Sequence, residues 1–258
     1  MKNVKKKYLK YASKEHKKGN NKMTEKFIFE DERRDMAMVA KKFFDRSRTN
    51  VAGGNISEKI VPEKSFDYGD IHIEKNHPYI IITPTMMSEA WFGNLEAAQI
   101  LVVDLETGKK LDGSGRLTRE INMHEEAYKV NPKISVVYHS HAPKSMFWGT
   151  SGLDEPNITE ITKVQLKLGK IKCLPYREAC TKSLADLVSQ ELKDRKDQVD
   201  NILLLNSHGV LITSNDLHRA AMILETTEWN AEIAYKQAVF QKLGLLNGYK
   251  SCGKTVKK

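Results

Sequence analysis

Short apolar stretches with the composition of β-strands alternate along this chain with longer stretches of helical periodicity. This interleaving predicts an α/β or α+β architecture in one domain. The predicted helices are Asp31 to Arg46, Thr118 to Val130, Ile158 to Leu168, Ser183 to Lys193, and a long helix from Asn215 or Asp216 to about Phe240. The predicted extended segments are one near Ser57, then Tyr79 to Thr83, Leu101 to Leu105, Ile134 to His141, Ile171 to Tyr176, Asn201 to Leu205 and Val210 to Thr213.

The composition is that of a globular protein: of 258 residues, 40% are hydrophobic and 29% are charged. It excludes a disulfide mini-protein, a fibrous repeat and a disordered chain. No apolar run approaches the ~20 residues of a membrane-spanning helix, and no apolar segment follows the N-terminal lysines, so we expect a soluble, cytoplasmic protein. The three cysteines form no CxxC pair, which predicts reduced thiols and no sulfur-ligated zinc.

The net charge of +9 is concentrated in the two ends of the chain. Residues 1–22 carry +8 and residues 250–258 carry +4, so the body from 23 to 249 is mildly acidic at −3 once both are subtracted from +9. A lysine tract without apolar periodicity is typical of a solvated, disordered tail. The sequence therefore predicts a single domain over 23–249 between two basic tails, and it does not favour nucleic-acid binding by that domain.

Two histidines separated by one residue are the sharpest local feature of the sequence. His139 and His141 lie at the end of a predicted strand, where residues two apart project from the same face and can share one ion. Two histidines at a strand end can equally be polar core residues satisfied by backbone groups. A zinc site needs at least three protein ligands. His208, in a tight turn between two apolar strands and followed by Gly209, is the third candidate.

The remaining histidines are weaker candidates for a metal site. Solvent-facing positions are expected for His16, His72, His77 and His218. His124 follows Glu120 by four residues, so the two share a helix face and form an alternative metal corner. Glu120 itself begins its helix, where the macrodipole favours an anion. It is either a structural residue there or, beside a zinc site, the obvious general base.

Two further segments have the composition of an anion cradle. The Gly53-Gly54-Asn55 loop and the Thr83-Pro84-Thr85 segment offer backbone N–H groups, an amide and hydroxyls to a phosphate. Taken singly, a Gly-Gly-Asn loop is usually only a turn.

These fragments occur together and in a fixed order. They are Gly54-Asn55-Ile56-Ser57, Ile82-Thr83-Pro84-Thr85, Thr118-Arg119-Glu120 with Met123-His124, Val137-Tyr138-His139-Ser140-His141 and Leu205-Asn206-Ser207-His208-Gly209-Val210. The combination resembles the class II aldolase and adducin head family, and most of all its L-fuculose-1-phosphate aldolase branch. The resemblance covers the body of the chain from about Phe29 to Phe240.

The resemblance implies a three-layer α/β/α sandwich with a mainly antiparallel central sheet. It also implies a cyclic homotetramer with active sites between subunits. It assigns one zinc ion per subunit to His139, His141 and His208, with Glu120 as the acid/base and Tyr176 as an assistant in proton transfer. Contacts to the substrate phosphate are implied for Gly54, Asn55, Thr85 and Thr118.

The activity that the resemblance implies is a zinc-dependent lyase reaction on a phosphorylated ketose. Such an aldolase reversibly releases dihydroxyacetone phosphate and an aldehyde through a zinc-stabilised enediolate. A ribulose-phosphate 4-epimerase or a sugar-phosphate dehydratase of the same fold would use the same zinc ligands. A non-catalytic, adducin-like interaction module is a more distant alternative, because here the three histidines and the glutamate are all present.

Three features depart from the family pattern. Met86 stands where a glycine often follows the Thr-Pro-Thr segment, which affects a backbone phosphate contact. Arg119 stands where many members have a second serine, and its guanidinium can bind a phosphate or carboxylate. The segment from Ile60 to Pro78 is longer than the family's usual link and is either a lid or a surface loop.

Overall fold

The computed structural model describes residues 27–50, 53–85 and 93–248. The helices are α1 (Glu30–Asp45), α2 (Ile121–Val130), α3 (Pro143–Thr150), α4 (Glu160–Leu166), α5 (Lys182–Lys193) and α6 (Leu217–Lys242), with a short 3₁₀ helix at Ala97–Gln99. The strands are β1 (Asn55–Ile60), β2 (Phe66–Tyr68), β3 (Ile71–Ile73), β4 (Tyr79–Ile82), β5 (Leu101–Asp104), β6 (Lys110–Asp112), β7 (Val136–Ser140), β8 (Glu155–Pro156), β9 (Lys170–Ile171), β10 (Cys173–Leu174), β11 (Asn201–Leu205) and β12 (Gly209–Ser214).

One sheet of eight strands forms the middle of the molecule, in the order β10-β11-β12-β7-β1-β4-β5-β6. Its neighbouring strands are antiparallel except for β10 and β11, which are parallel. Two small hairpins, β2–β3 and β8–β9, lie outside this sheet. The prediction of a mainly antiparallel central sheet is confirmed.

Each face of the sheet carries its own hydrophobic core. On β7, Val136 and Tyr138 belong to the core that packs against α1, α3, α4 and α6, whereas Val137 belongs to the core under α2 and α5. This division follows from the alternation of side chains along a strand. The result is the predicted three-layer α/β/α sandwich, and His139, which alternates with Tyr138, faces the α2 side.

Most predicted elements are present within a few residues of their expected bounds, but α3 and the β2–β3 hairpin are not anticipated by the sequence pattern. The buried residues of α3 are Ser145, Trp148 and Gly149. Because two of these are small, the helix has no apolar stripe that periodicity could reveal. Helix α2 begins at Ile121, three residues later than predicted, because Thr118 to Glu120 form the turn that precedes it.

The segment from 60 to 78 is a surface hairpin that packs on the core. Ile73 is fully buried, and the ring of Phe66 lies edge-on to Phe29 with centroids 6.2 Å apart. The hairpin leaves the sheet at the Ile60 end of β1, opposite to Asn55. It is therefore attached at the end of the sheet opposite to Asn55 and the Gly53-Gly54 loop.

Several predictions concern residues outside the described ranges. The basic tails 1–22 and 250–258, Met86 and Cys252 all fall there. Cys173 and Cys180, which the structure does describe, are free thiols. No helix within the described ranges is long and apolar enough to cross a membrane.

Candidate active site

Three histidine rings meet at one end of the central sheet. His139 is in β7 and His141 follows its end, while His208 lies in the turn between β11 and β12. Antiparallel pairing of β12 with β7, which places Leu211 opposite His139, brings that turn beside the other two histidines. The ring centroids are 4.6 to 5.3 Å apart, and one ligand nitrogen from each histidine lies within 4.8 Å of the others.

Glycines allow the rings to approach the backbone this closely. A Cβ atom on Gly53 would lie 1.9 Å from Nδ1 of His141, and one on Gly209 would lie 2.5 Å from the carbonyl oxygen of Ser140. Gly54 has a φ of +97°, and a Cβ there would meet Thr49 Oγ1 at 2.9 Å. The Gly53-Gly54 pair is therefore more than a generic turn, since a side chain at Gly53 would overlap with the ring of His141. A side chain at Gly209 would likewise overlap with the backbone of Ser140.

Hydrogen bonds orient two of the rings. His139 Nδ1 donates to the carbonyl oxygen of Val210 at 3.1 Å, and His141 Nδ1 lies 3.1 Å from Oδ1 of Asn50. Because these oxygens can only accept, the proton of each neutral ring is on Nδ1 and Nε2 carries a free lone pair. The two Nε2 atoms lie 3.2 Å apart. Asn50 is a further site residue, and its loop has no sequence pattern that would reveal it.

Glu120 places its carboxylate against the same cluster. Its Oε1 is 3.0 Å from Nε2 of His208 and its Oε2 is 3.4 Å from Nε2 of His139. Asn55 Nδ2 donates to Oε2 at 2.8 Å. Burial acts to raise the pKa of Glu120, but the adjacent His139 and His208 and the Asn55 amide hold it well below its usual value. Glu120 is therefore an ionised base in a mostly buried position.

The donor set fits a divalent cation. Burial lowers the pKa of His139, and it lowers the pKa of His141 to about 3, so both rings are neutral near pH 7. Within the described part of the chain, Glu120 Oε1 and His208 Nδ1 are buried without a hydrogen bond of ordinary geometry. Converging imidazole lone pairs beside a carboxylate repel one another unless a cation lies among them.

The structure does not support His124 as an alternative metal ligand. His124 is fully buried; its Nε2 is hydrogen-bonded to Oδ1 of Asn55 and its Nδ1 lies 2.6 Å from Oγ of Ser57. Both ring nitrogens are thus engaged within the protein.

The outlying histidines follow the sequence expectation with one exception. His72 and His218 are exposed and pair with acidic residues. His77 was expected to face solvent, but its side chain is only 18% exposed, because Nε2 contacts Asp104 at 2.9 Å and the ring packs on Tyr79. His16 lies outside the described residues.

The residues expected to hold a phosphate divide into two groups. Asn55 and Thr118 are buried beside Glu120, and Asn55 Nδ2 also lies 3.4 Å from Oγ1 of Thr118. The side-chain amide of Asn55 thus contacts the carboxylate of Glu120. Thr85 is partly exposed, and its backbone N–H donates to the backbone carbonyl oxygen of Arg116 at 2.9 Å. Arg119, next to Glu120 in the chain, is exposed.

Tyr176 lies beyond the same end of the sheet as His208, but it is outside the histidine cluster. Strand β10 is parallel to β11, with Leu174 opposite Leu205. Tyr176 follows Leu174 by two residues and His208 follows Leu205 by three. The side chain of Tyr176 is 60% exposed. The hairpin at 60–78, by contrast, leaves the opposite end of the sheet and does not cover this site.

Sequence comparison relates the chain to enzymes acting on sugar phosphates. The family described as "Class II Aldolase and Adducin N-terminal domain" matches residues 34–235. The chain is 22% identical over 209 residues to 5-deoxy-D-ribulose 1-phosphate aldolase of Bacillus thuringiensis serovar kurstaki, covering 81% of this chain and 86% of the relative. It is 30% identical over 175 residues to L-fuculose phosphate aldolase of Methanococcus vannielii, covering 67% and 87%. It is 26% identical over 205 residues to 3-oxo-tetronate 4-phosphate decarboxylase of Haemophilus influenzae, covering 78% and 85%.

Solved structures share the fold at lower identity. An L-fuculose 1-phosphate aldolase superposes with a TM-score of 0.64 at 20% identity, covering 84% of this chain and 90% of that one. A sugar-phosphate aldolase from Thermotoga maritima superposes with a TM-score of 0.63 at 18% identity, covering 84% and 97%.

Proposed function

Because the chain belongs to the class II aldolase and adducin N-terminal domain family, we propose that it is a metal-dependent aldolase. The proposed reaction reversibly cleaves a phosphorylated ketose to dihydroxyacetone phosphate and an aldehyde. The observation that carries the proposal is the convergence of three histidines and an ionised Glu120 at one end of the sheet. A non-catalytic module would have no need of a mostly buried carboxylate next to the unprotonated imidazole of His139.

The proposed cofactor is one Zn²⁺ ion held by His139, His141 and His208. Three imidazoles are a typical ligand set for catalytic zinc, which leaves a position open for the substrate. When bound, the ion would supply Lewis-acid stabilisation of the negative charge that develops on the substrate oxygens. Val210 and Asn50 fix the ring orientations that this ligand set requires.

Glu120 would carry the proton in this reaction. In the synthetic direction its ionised carboxylate takes the proton from the carbon next to the carbonyl of dihydroxyacetone phosphate. In the cleavage direction it returns that proton to the same carbon. Asn55, donating to Oε2 at 2.8 Å, holds the carboxylate in place. Because its pKa lies well below the usual value, the carboxylate is ionised before the substrate arrives, as a base must be.

The substrate phosphate is proposed to bind near the buried Gly54, the partly exposed Thr85 and the exposed Arg119. Asn55 and Thr118 line the buried side of the same region. Similarity to 5-deoxy-D-ribulose 1-phosphate aldolase and L-fuculose phosphate aldolase supports a phosphorylated substrate. An exposed guanidinium beside the catalytic carboxylate suits a phosphate dianion.

We also propose that the active enzyme is a homotetramer with active sites between subunits. The position of Tyr176 supports this assembly, because its exposed side chain lies beyond the same end of the sheet as His208. The hydroxyl is thus free to serve proton transfer in the site of a neighbouring subunit. Sedimentation of the full chain, together with activity of Tyr176→Phe, tests both parts: a monomer with full turnover would contradict them.

The decisive experiment is proton exchange into dihydroxyacetone phosphate in heavy water, followed by NMR, because it needs no knowledge of the aldehyde. We expect stereospecific exchange with zinc, loss of exchange after chelation, and loss of both zinc and exchange in His208→Ala. Full turnover by a His208→Ala protein that retains zinc would refute the proposal. Absence of exchange from a zinc-loaded wild-type protein would exclude this donor.

Decarboxylation of a phosphorylated 3-oxo acid is a second candidate, and Arg119 is the observation that favours it. A 3-oxo acid loses CO₂ with its C–C bonding electrons passing to the adjacent carbonyl, and the resulting carbanion needs only a proton. Solvent would supply that proton and Glu120 would relay it to the carbanion, while the exposed Arg119 would hold a carboxylate instead of a phosphate. Release of CO₂ from 3-oxo-tetronate 4-phosphate, lost in Arg119→Gln, would favour this reaction over aldol cleavage.

A further inference from the structure

A continuous chain of buried polar side chains connects Glu120 to the interior of the α2 layer. Asn55 donates to Glu120, and its Oδ1 is hydrogen-bonded to Nε2 of His124. Nδ1 of His124 lies 2.6 Å from Oγ of Ser57, which lies 2.6 Å from the hydroxyl of Tyr128. Ser57 and His124 are fully buried and Tyr128 nearly so. Such groups in an apolar core are costly unless every one of them is paired.

The charge on Glu120 sets the direction of every hydrogen bond in this chain. An ionised carboxylate only accepts, so Asn55 must turn Nδ2 towards it and Oδ1 away from it. Oδ1 in turn accepts from Nε2–H of His124. A neutral imidazole has one N–H, so its Nδ1 accepts from the hydroxyl of Ser57. The hydroxyl of Tyr128 then donates to Ser57.

We propose that His124 is a positioning residue for Glu120, acting through Asn55. As the Nε2–H tautomer it allows only one orientation of the Asn55 amide, the one that presents Nδ2 to the carboxylate. This inference rests on the proposed role of Glu120 as the acid/base. His124 touches neither substrate nor metal in this scheme. Ser57 and Tyr128 act one step further away by fixing the tautomer of His124.

Burial supports a neutral, single-tautomer ring. Desolvation by burial lowers the pKa of His124 to about 3, while Glu120 acts in the opposite direction. A ring that stays neutral has a single N–H, and its hydrogen-bond partners decide which nitrogen carries it. If Nδ1 carried that proton, Asn55 would have to turn Nδ2 towards His124 and Oδ1 towards the carboxylate, placing two acceptors against each other.

The alternative is that His124 only fills space in the α2 core, and the tautomer separates the two possibilities. We would record long-range ¹H–¹⁵N NMR correlations of the histidine rings in the zinc-loaded wild-type protein at pH 7. We expect His124, assigned with His124→Gln, to be neutral with its proton on Nε2. A proton on Nδ1, or a charged ring, would overturn the proposal. The measurement needs no substrate, so it stands even if the proposed reaction is wrong.

Kinetics of two substitutions at the same position test the functional consequence. Gln has an amide nitrogen near the position of Nε2 and can still donate to Asn55, whereas Met has similar volume and no donor. We expect His124→Met to lower kcat about tenfold or more with KM changed less than about threefold, and His124→Gln to recover most of that loss. Equal losses in both variants, or wild-type kcat in His124→Met, would refute the positioning role.

Two tyrosines provide a matched control for loss of a buried hydroxyl. Tyr128→Phe removes the end of the chain, whereas Tyr138→Phe removes a buried hydroxyl that donates to the carbonyl of Leu217 at 3.0 Å. We expect Tyr128→Phe to lower kcat about two- to fivefold and Tyr138→Phe to leave it unchanged, with zinc content equal in both. Equal effects would show that general destabilisation is responsible. If the His124 variants do not fold, this pair and the wild-type tautomer decide.

Discussion

Glu120 and Glu155 are both carboxyl groups largely removed from water, yet at neutral pH their surroundings keep the first ionised and the second neutral. Glu120 is held ionised by the imidazoles and by the amide of Asn55. Glu155 is fully buried between α3 and α6, where burial and the adjacent Glu228 raise its pKa to about 8, against hydrogen bonds with Asn230 and Ser145 that act to lower it. Burial alone therefore does not set the charge of a carboxyl group; its neighbours do.

The difference also separates function from structure. The ionised carboxylate faces a cluster that can hold a cation and a substrate. The protonated one belongs to a buried polar network under α3, in which Glu228 accepts the backbone N–H groups of Lys144 and Ser145 at 3.2 and 2.7 Å. That network caps the helix that follows His141, and no substrate role is needed to explain it. The same Glu-to-Gln change at each position tests whether the two carboxyl groups differ in this way.

The largest effect is expected for Glu120→Gln. The amide oxygen can still accept from Asn55, but the side chain can no longer take a proton, so exchange into dihydroxyacetone phosphate should fall ~10²- to 10⁴-fold. The measurement is the initial exchange rate by NMR with zinc content determined on the same sample. Undiminished exchange in a zinc-loaded variant would remove Glu120 from the mechanism, whereas Glu155→Gln, the matched control, should exchange at the wild-type rate.

The second prediction concerns the pH dependence of stability at Glu155. In the unfolded chain the carboxyl ionises near pH 4.5, whereas in the folded protein it stays protonated to about pH 8. The folded state thus binds more protons in this window, so the free energy of unfolding should decrease as pH rises from about 4.5 to 8 and be level above it. Glu155→Gln removes this contribution, which is up to about 5 kcal/mol at pH 8.

Urea unfolding of both proteins at pH 5 and pH 8 measures this effect. We expect the variant to gain stability over the wild type as pH rises, because its amide has no proton to lose and still accepts from Asn230. A stability difference that is the same at both pH values would show that Glu155 is ionised in the folded protein.

The smallest effect is expected at Glu225, a partly exposed carboxylate paired with two arginines. Arg46 donates to Glu225 at 2.6 and 2.8 Å and Arg48 donates at 2.8 Å. Burial acts to raise its pKa, but the two guanidinium groups lower it to about 2. The stabilisation is therefore present above the unfolded pKa and lost as pH falls from about 4.5 towards 2.

For Glu225→Gln we expect a loss of about 1 kcal/mol or less at pH 7 and almost none near pH 2. Thermal unfolding at both pH values, with added salt as a second variable, checks this. A loss that persists near pH 2 would indicate packing and not charge as the cause. Glu155, which accepts from Asn230 of helix α6, and Glu225, which is part of that helix, are thus expected to show pH dependences of opposite sign.

Sequence patterns predict the frame of the site but not its interior. The period of two along β7 places His139 and His141 on one face, and the apolar strands around Asn206 to Gly209 predict the turn that carries His208. The structure brings these three together. Nothing local reveals that Asn50 orients His141, since that contact joins residues 91 positions apart.

Asn55 and His77 show the same limit from the other direction. A motif with Asn55 predicts a phosphate contact, but its amide lies between Glu120 and His124 once β1 pairs with β7 and α2 packs over both. His77 stands in a polar segment that predicts exposure, but Asp104 and Tyr79 enclose it. In both cases the partner comes from a distant strand or helix.

Local periodicity and side-chain chemistry are enough to predict the order of helices and strands, the faces of the strands and the residue types able to bind a metal. They do not reveal which carboxyl groups are charged, which histidine is a core residue or which glycines must lack a side chain. Those properties depend on distances across the sheet, such as the 3.0 Å from Glu120 to His208 and the 1.9 Å that a Cβ on Gly53 would leave to His141. Such distances exist only after strands far apart in the chain have paired.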